Sequence, residues 1–363
     1  MRIKGVAISD LHFGIPSSDK LYTELEFFLN YIQEKELDFI NINGDYFDRK
    51  ISLNESACKL ALKFFDRLFK ICKDKNIKLR MIQGTKSHDL NQLDNFFHYQ
   101  SDSSADFKIY TTATIEDIHG MKIAYFPEEY PENHEEYFEA FRDTPIDIMH
   151  GHGLWSFVSF FSKTHNQGER LIKSAPIFDL KEWKNLKGFA LFGHIHQNDK
   201  LKNKVFYCSS YTRWMFGDER EKGFLYYEYN TDTSDYVVEF VENKEAPLYV
   251  TKKIKDEVSS LSIETITEYI ENISNENTNV RIDTEGLSED ILLQLKKTTA
   301  SNNNVKLENK NTIVKPKTSL DDEYSFIVKR TVPINEAIKK FIKMKFEKDI
   351  PIEKINDIIK RGS

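Results

Sequence analysis

Five short segments carry the side chains that could do chemistry. They are Asp10-Leu11-His12, Gly44-Asp45-Tyr46-Phe47-Asp48, Gly84-Thr85-Lys86-Ser87-His88-Asp89, His150-Gly151-His152-Gly153 and Gly193-His194-Ile195-His196. Six of the ten histidines fall within them, each beside aspartate or another histidine, which is a set suited to divalent transition metals. One DxH or HxH tripeptide means little, because such pairs arise by chance and a lone histidine is more often a hydrogen-bonded surface or core residue. Five in order, each just after an apolar run, form a constellation. One cation needs three or four ligands and at least six are on offer, so two cations sharing a carboxylate is the economical solution. The reaction such a pair serves best is phosphoester hydrolysis.

These segments converge only if the strands before them lie side by side with their carboxyl ends on one edge. Ile3 to Ser9 reads as a buried strand, Tyr22 to Glu34 as a helix, Phe39 to Asn43 as a strand, Asn54 to Lys73 as an amphipathic helix, and Leu79 to Gln83 as a third strand. This βαβαβ order predicts parallel strands in an α/β layer. Further strands are expected at 122–126, 146–149, 189–192, 204–208, 223–229 and 236–240, with few helices between them. Two sheets face to face, flanked by helices, accommodate them, giving a four-layer α-β-β-α sandwich. Near Pro247 the pattern breaks, and a smaller α+β unit is expected over 247–330. Over 331–363 the residues Ile334, Ile338, Phe341, Ile342, Ile352 and Ile355 recur at helical spacing. They suit either a helical hairpin folded onto that unit or a docking element for a partner helix.

Composition narrows the classes. With 363 residues, 40% hydrophobic and 13% aromatic, the chain can bury one large core and a smaller one. No stretch reaches the roughly 18 apolar residues of a membrane span, and MRIKGVAISDLHFG meets charge too early for a signal peptide. Cys58, Cys72 and Cys208 are odd in number and lack CxxC spacing, which predicts neither a disulfide framework nor a zinc ribbon and fits a cytoplasmic setting. A net charge of −7 argues against coating nucleic acid by bulk positive charge, yet a nuclease can hold its substrate by cations and a local basic patch.

The order DxH, GDxxD, Gly to His-Asp, HGH and GHxH resembles the calcineurin-like metallophosphoesterases over about residues 1 to 240. Within them, Tyr207 to Arg213 followed by Phe216-Gly217-Asp218-Glu219 and Lys222-Gly223-Phe224 resembles the SbcD-type DNA repair nucleases. The resemblance implies a nuclease domain over 1–246, a cap or DNA-binding domain over 247–330, and C-terminal helices over 331–363 that grip an SbcC-type SMC-like ATPase. It also implies a homodimer, DNA as substrate, two cations of which Mn2+ is the expected kind, and exonuclease with possible endonuclease action. Carried over by residue, Asp10, His12, Asp45 and His196 hold one metal, with Asp45 bridging, and His150 and His194 hold the other. His150 is preferred to His152 because it directly follows the strand IDIM; Asp48 and His152 support the ligands. His88 faces the scissile phosphate, with Asp89 fixing its tautomer. The family's asparagine between glycine and histidine is missing, and Ser87, before the histidine, offers only a poor ligand oxygen. A small-molecule or protein phosphoesterase, or a scaffold subunit with a weakened site, remains open, and the donor set admits manganese, iron or zinc.

Overall fold

The computed structural model describes residues 1–89, 91–157, 175–218, 220–253, 277–284, 289–300, 304–308 and 351–355, with a few single positions besides. Strands β1 (Arg2–Ile8), β2 (Phe39–Asn43), β3 (Lys78–Ile82) and β4 (Phe107–Tyr110) alternate with helices α1 (Ser18–Glu34) and α2 (Ser56–Asp74) and the single helical turn α3 (Lys86–Asp89). The four strands pair in parallel. Side chains alternate along β1, so Val6 and Ile8 meet α1 and α2, whereas Ile3 and Ala7 face the opposite way. Leu21, Leu25, Phe28, Phe64, Phe65 and Leu68 form the buried stripes of the two helices, the spacing that predicted them.

A second sheet follows. It contains β5 (Thr114–Ile118), β6 (Met121–Phe126), β7 (Ile146–His152), β10 (Leu186–Gly193), β11 (Lys200–Leu201) and β12 (Val205–Tyr207), in the order β11-β12-β10-β7-β6-β5. Between these elements lie α4 (His134–Arg142) and a small pair, β8 (Leu154–Trp155) and β9 (Ile177–Phe178). Then β13 (Gly223–Asn230) and β14 (Tyr236–Glu242) return to the first sheet, β13 running antiparallel to β1. Ile3, Ala7 and Tyr227 of one sheet pack on Ile123, Ile148 and Leu191 of the other, while Phe138 of α4 joins the core on the outer face of the second sheet. The mixed α/β sandwich expected from the sequence is the observed architecture. β7 runs three residues further than the expected 146–149, a difference with consequences for the site.

A three-stranded parallel sheet, β15 (Leu248–Lys253), β16 (Thr278–Asp283) and β17 (Val305–Glu308), comes last, with α5 (Glu289–Thr299) before β17. Val280, Ile282 and Leu295 are buried in its own small core. The apolar stripe expected over 331–363 lies outside the described residues except at 339, 343 and 351–355. Among the described residues, no helix is long and apolar enough to cross a membrane.

One buried carboxyl ties α1 to the sandwich. Glu24 accepts a hydrogen bond from Asn243 at 2.9 Å, and its backbone carbonyl accepts one from the Tyr211 hydroxyl at 2.9 Å. Burial raises this carboxyl to about 7, against the lowering effect of hydrogen bonds from Thr212 and Asn243. The folded chain therefore holds the proton more tightly than the unfolded one. The resulting stability is fully present below the unfolded value of 4.5 and is lost as pH rises through about 7, by up to about 3 kcal/mol. Glu24→Gln is expected to flatten this dependence. Its melting temperature should fall less than the wild type's between pH 5 and 8, and parallel decline in both proteins would contradict the assignment.

Candidate metal centre

The carboxyl ends of the parallel strands of both sheets share one edge, and the loops leaving them are bound to one another through the backbone. Asp10 N–H donates to Gly44 O, His12 N–H to Asp45 O, and Phe13 N–H to Tyr46 O, at 2.9 to 3.0 Å. Glu128 N–H, after β6, donates to Gln83 O, after β3, at 3.2 Å and so links the two sheets. Asp10, His12, Asp45 and His194 all adopt left-handed backbone angles, with φ of 51°, 53°, 50° and 87°. An L-residue in that region costs about 1 kcal/mol or more, so these loops depend on the cross-loop bonds. Gly84 makes room for them: a Cβ there would collide with the backbone nitrogen and carboxylate of Asp45.

The side chains converge in three overlapping sets. Ligand atoms of Asp10, His12 and His196 lie within 4.8 Å of one another, as do those of His12, Asp45 and His88, and those of Asp45, His152 and His194. His12 Nε2 stands 3.1 Å from His196 Nε2 and 3.9 Å from carboxylate oxygens of both Asp10 and Asp45. His152 Nε2 is 3.2 Å from Asp45 Oδ2, and His194 Nδ1 is 3.1 Å from Glu128 Oε2. Asp48 Oδ1 lies 3.5 Å from His12 Nδ1.

Electrostatics favour positive charge at the centre. Burial pushes the Asp10 carboxyl up, but hydrogen bonding to His196 and the charges of His152, His196 and His12 outweigh it and leave the group at about 2. Burial pulls the His152 imidazolium down, yet Asp45 and Asp10 hold it at about 10. Carboxylate oxygens and imidazole nitrogens packed this closely in a buried pocket are the donor set of a divalent transition metal, and these residues fit such an ion.

Four positions differ from the sequence-based expectation. His150, expected as a ligand, is two residues short of the strand end, about 7 Å deeper at the usual rise per residue. It lies among Tyr125 and Tyr227, and burial drives its imidazolium down to about 3. His152, expected only to border the site, takes the place against Asp45, and its Nδ1 donates to Asn43 O at 2.8 Å, leaving Nε2 to face the carboxylates. Asp89 does not hold His88: its oxygens accept from Phe47 N–H at 3.1 Å and Gly84 N–H at 2.8 Å, and burial together with nearby Asp45 raises it to about 7. The His88 Nδ1 instead meets the carbonyl of Asp48. Ser87 is exposed on α3, away from the cluster.

The position after Gly84 belongs to Thr85. Its N–H donates to Asp45 Oδ1 at 2.6 Å, and its hydroxyl lies 3.3 Å from Asp45 Oδ2 and 3.1 Å from Glu128 Oε2. Lys86 and Ser87 are taken up by the helical turn, where His88 N–H bonds Thr85 O at 2.9 Å and the ring returns to the site, edge-on to His12. Glu128 and Trp214 escaped the sequence reading. Glu128 follows a strand as the other site residues do, but no histidine or glycine marks it. Trp214 stands with its ring 5.0 Å from His12 and 5.1 Å from His196.

The family model for calcineurin-like phosphoesterases matches residues 3–198. The chain belongs to that family. Members carry divalent metals and hydrolyse phosphoesters, which agrees with the donor set described above. Among solved structures, one titled "GAP50 the anchor in the inner membrane complex of Plasmodium" is similar at 15% identity, covering 68% of this chain and 86% of its own, with a TM-score of 0.44. Zinc-complexed Vps29 from Entamoeba histolytica is similar at 12% identity, covering 67% of this chain and all of its own, with a TM-score of 0.28. A search of curated proteins finds no significant match.

Because Gly84 leaves no space beside Asp45, Gly84→Ala is expected to destabilise the chain by about 1 to 3 kcal/mol through forced displacement of the Asp45 loop. Urea unfolding measures this. An alanine variant as stable as the wild type would show that the two loops are not in contact.

Proposed function

We propose that this protein is a two-metal phosphodiesterase acting on DNA, with Mn2+ the working cation. One observation carries the two-metal part: the Asp45 carboxylate belongs both to the His12 and His88 set and to the His152 and His194 set, while Asp10 and His196 complete the first through His12. In this reading Asp10, His12, His196 and Asp45 hold one cation, and Asp45, His152 and His194 hold the other. Cations bound there neutralise charge on a phosphoryl oxygen and lower the pKa of a water.

The remaining chemistry belongs to the chain. His88, oriented by the Asp48 carbonyl, is placed to donate a hydrogen bond or proton to the phosphodiester as the leaving oxygen departs. Asn43 O accepts from His152 Nδ1 and so turns Nε2 of that ring toward the carboxylates, and Asp48 lies 3.5 Å from His12 Nδ1 on the far side of the other ring. Trp214, partly exposed beside His12 and His196, offers a face on which a base next to the scissile phosphate can stack. That feature favours a nucleic acid over a small ester.

The DNA reading extends to a role beside an SMC-like ATPase of the SbcC type, in repair, recombination or replication. There the unit around β15 to β17 serves as a cap, the apolar stripe over 331–363 docks the ATPase, and two copies form a dimer. The motif over Tyr207 to Phe224 supports it. End-labelled duplex DNA incubated with Mn2+, compared with a small aryl phosphodiester, tests the substrate class. Cleavage of DNA is expected, abolished by Asp45→Ala and slowed about 10²- to 10⁴-fold by His88→Ala with metal still bound. Trp214→Ala should weaken DNA binding by about 1 to 3 kcal/mol, measured by titration of labelled DNA. Hydrolysis of the aryl ester alone would overturn the nuclease reading.

A further inference from the structure

We propose that Glu128 is a ligand of the second cation, standing in for the amide side chain that this chain lacks after Gly84. The inference rests on the two-cation reading above and adds a residue to it. Glu128 is 2% exposed, and its ion-pair partners are His194 Nδ1 at 3.1 Å and His152 Nε2 at 3.7 Å, the two imidazoles assigned to that cation. Its other oxygen, Oε1, accepts from the Tyr130 hydroxyl. One oxygen is thus anchored, and the other is aimed at the histidines.

Placement explains why a residue from a different strand can serve. Glu128 leaves β6 in the second sheet, but its N–H is bonded to Gln83 O, one residue before Gly84. The carboxylate therefore reaches the region where a longer side chain at position 85 would lie. Thr85 is short enough to leave that space, and its hydroxyl bridges Asp45 Oδ2 and Glu128 Oε2 at 3.3 and 3.1 Å. The short Thr85 side chain and the Glu128 carboxylate thus share one space. Compared with a neutral amide, the carboxylate brings a full negative charge, so with Asp45 the pocket offers two charges to one dication and favours oxygen-preferring ions such as Mn2+.

Calorimetric titration of Mn2+ into the metal-stripped full-length chain, with elemental analysis of bound manganese, reads this directly. The wild type is expected to take up two ions. Glu128→Gln, of the same shape, should weaken one of them by at least about 10-fold and leave the other, and Glu128→Asp should fall between. Combining Thr85→Asn with Glu128→Gln should recover part of the loss. Should Glu128→Gln fail to fold, Tyr130→Phe, which frees Oε1, carries the test: a weakened second ion supports the role and unchanged affinity overturns it. A wild type that binds two ions while Glu128→Gln binds them equally well overturns the role of Glu128 and leaves the two-cation reading standing. A wild type that binds none overturns both.

Discussion

Asp10, Asp45, Asp89 and Glu128 are four carboxyl groups, each at most 2% exposed, gathered at the edge where two sheets meet. A protein interior does not hold that much negative charge without compensation. Much of the local architecture supplies it. Backbone N–H groups of Phe47, Gly84, Thr85 and His194 point at the aspartates, and the imidazoles of His12, His152, His194 and His196 stand against the oxygens. Asp89, with Asp45 beside it and no imidazole in contact, is the one pushed up to about 7. Cations complete the compensation, which is why a pocket of this kind and a metal-dependent reaction belong together.

The sandwich exists to keep this pocket in register. Alternation along β1, β2 and β3 commits one face to α1 and α2 and the other to the second sheet, so each loop emerges at a fixed height. Asp10, His12, Asp45 and His194 then take left-handed turns, and cross-loop hydrogen bonds join the loops that carry them. The same backbone region serves ordinary turns elsewhere, at Asn76, His119 and Ser234 among others, so what marks the site is the gathering of four such residues at one strand-end edge.

Most of this was legible in the sequence because strand ends and ligand types coincide there. The βαβαβ order and the positions of Asp10, His12, Asp45, His194 and His196 required only hydrophobic periodicity and the rule that open α/β sheets build sites at carboxyl ends. What escaped was decided by length and by contacts across the sheets. His150 and His152 lie on the same face of β7, so alternation cannot choose between them, and the three-residue extension of the strand to position 152 decides for His152. Thr85 lies where an amide was sought at Ser87, because α3 absorbs the two additional residues. Glu128 depends on a bond between the loops of two different sheets, which no local pattern announces.

The account turns on Asp45 being shared. Crystals of the full chain soaked in Mn2+ and measured for anomalous scattering locate bound manganese without reference to activity. Two peaks are predicted, one on either side of the Asp45 carboxylate, the first against His12 and His196 and the second against His152 and His194. A single peak, or a peak at His150 with none touching Asp45, would contradict the account.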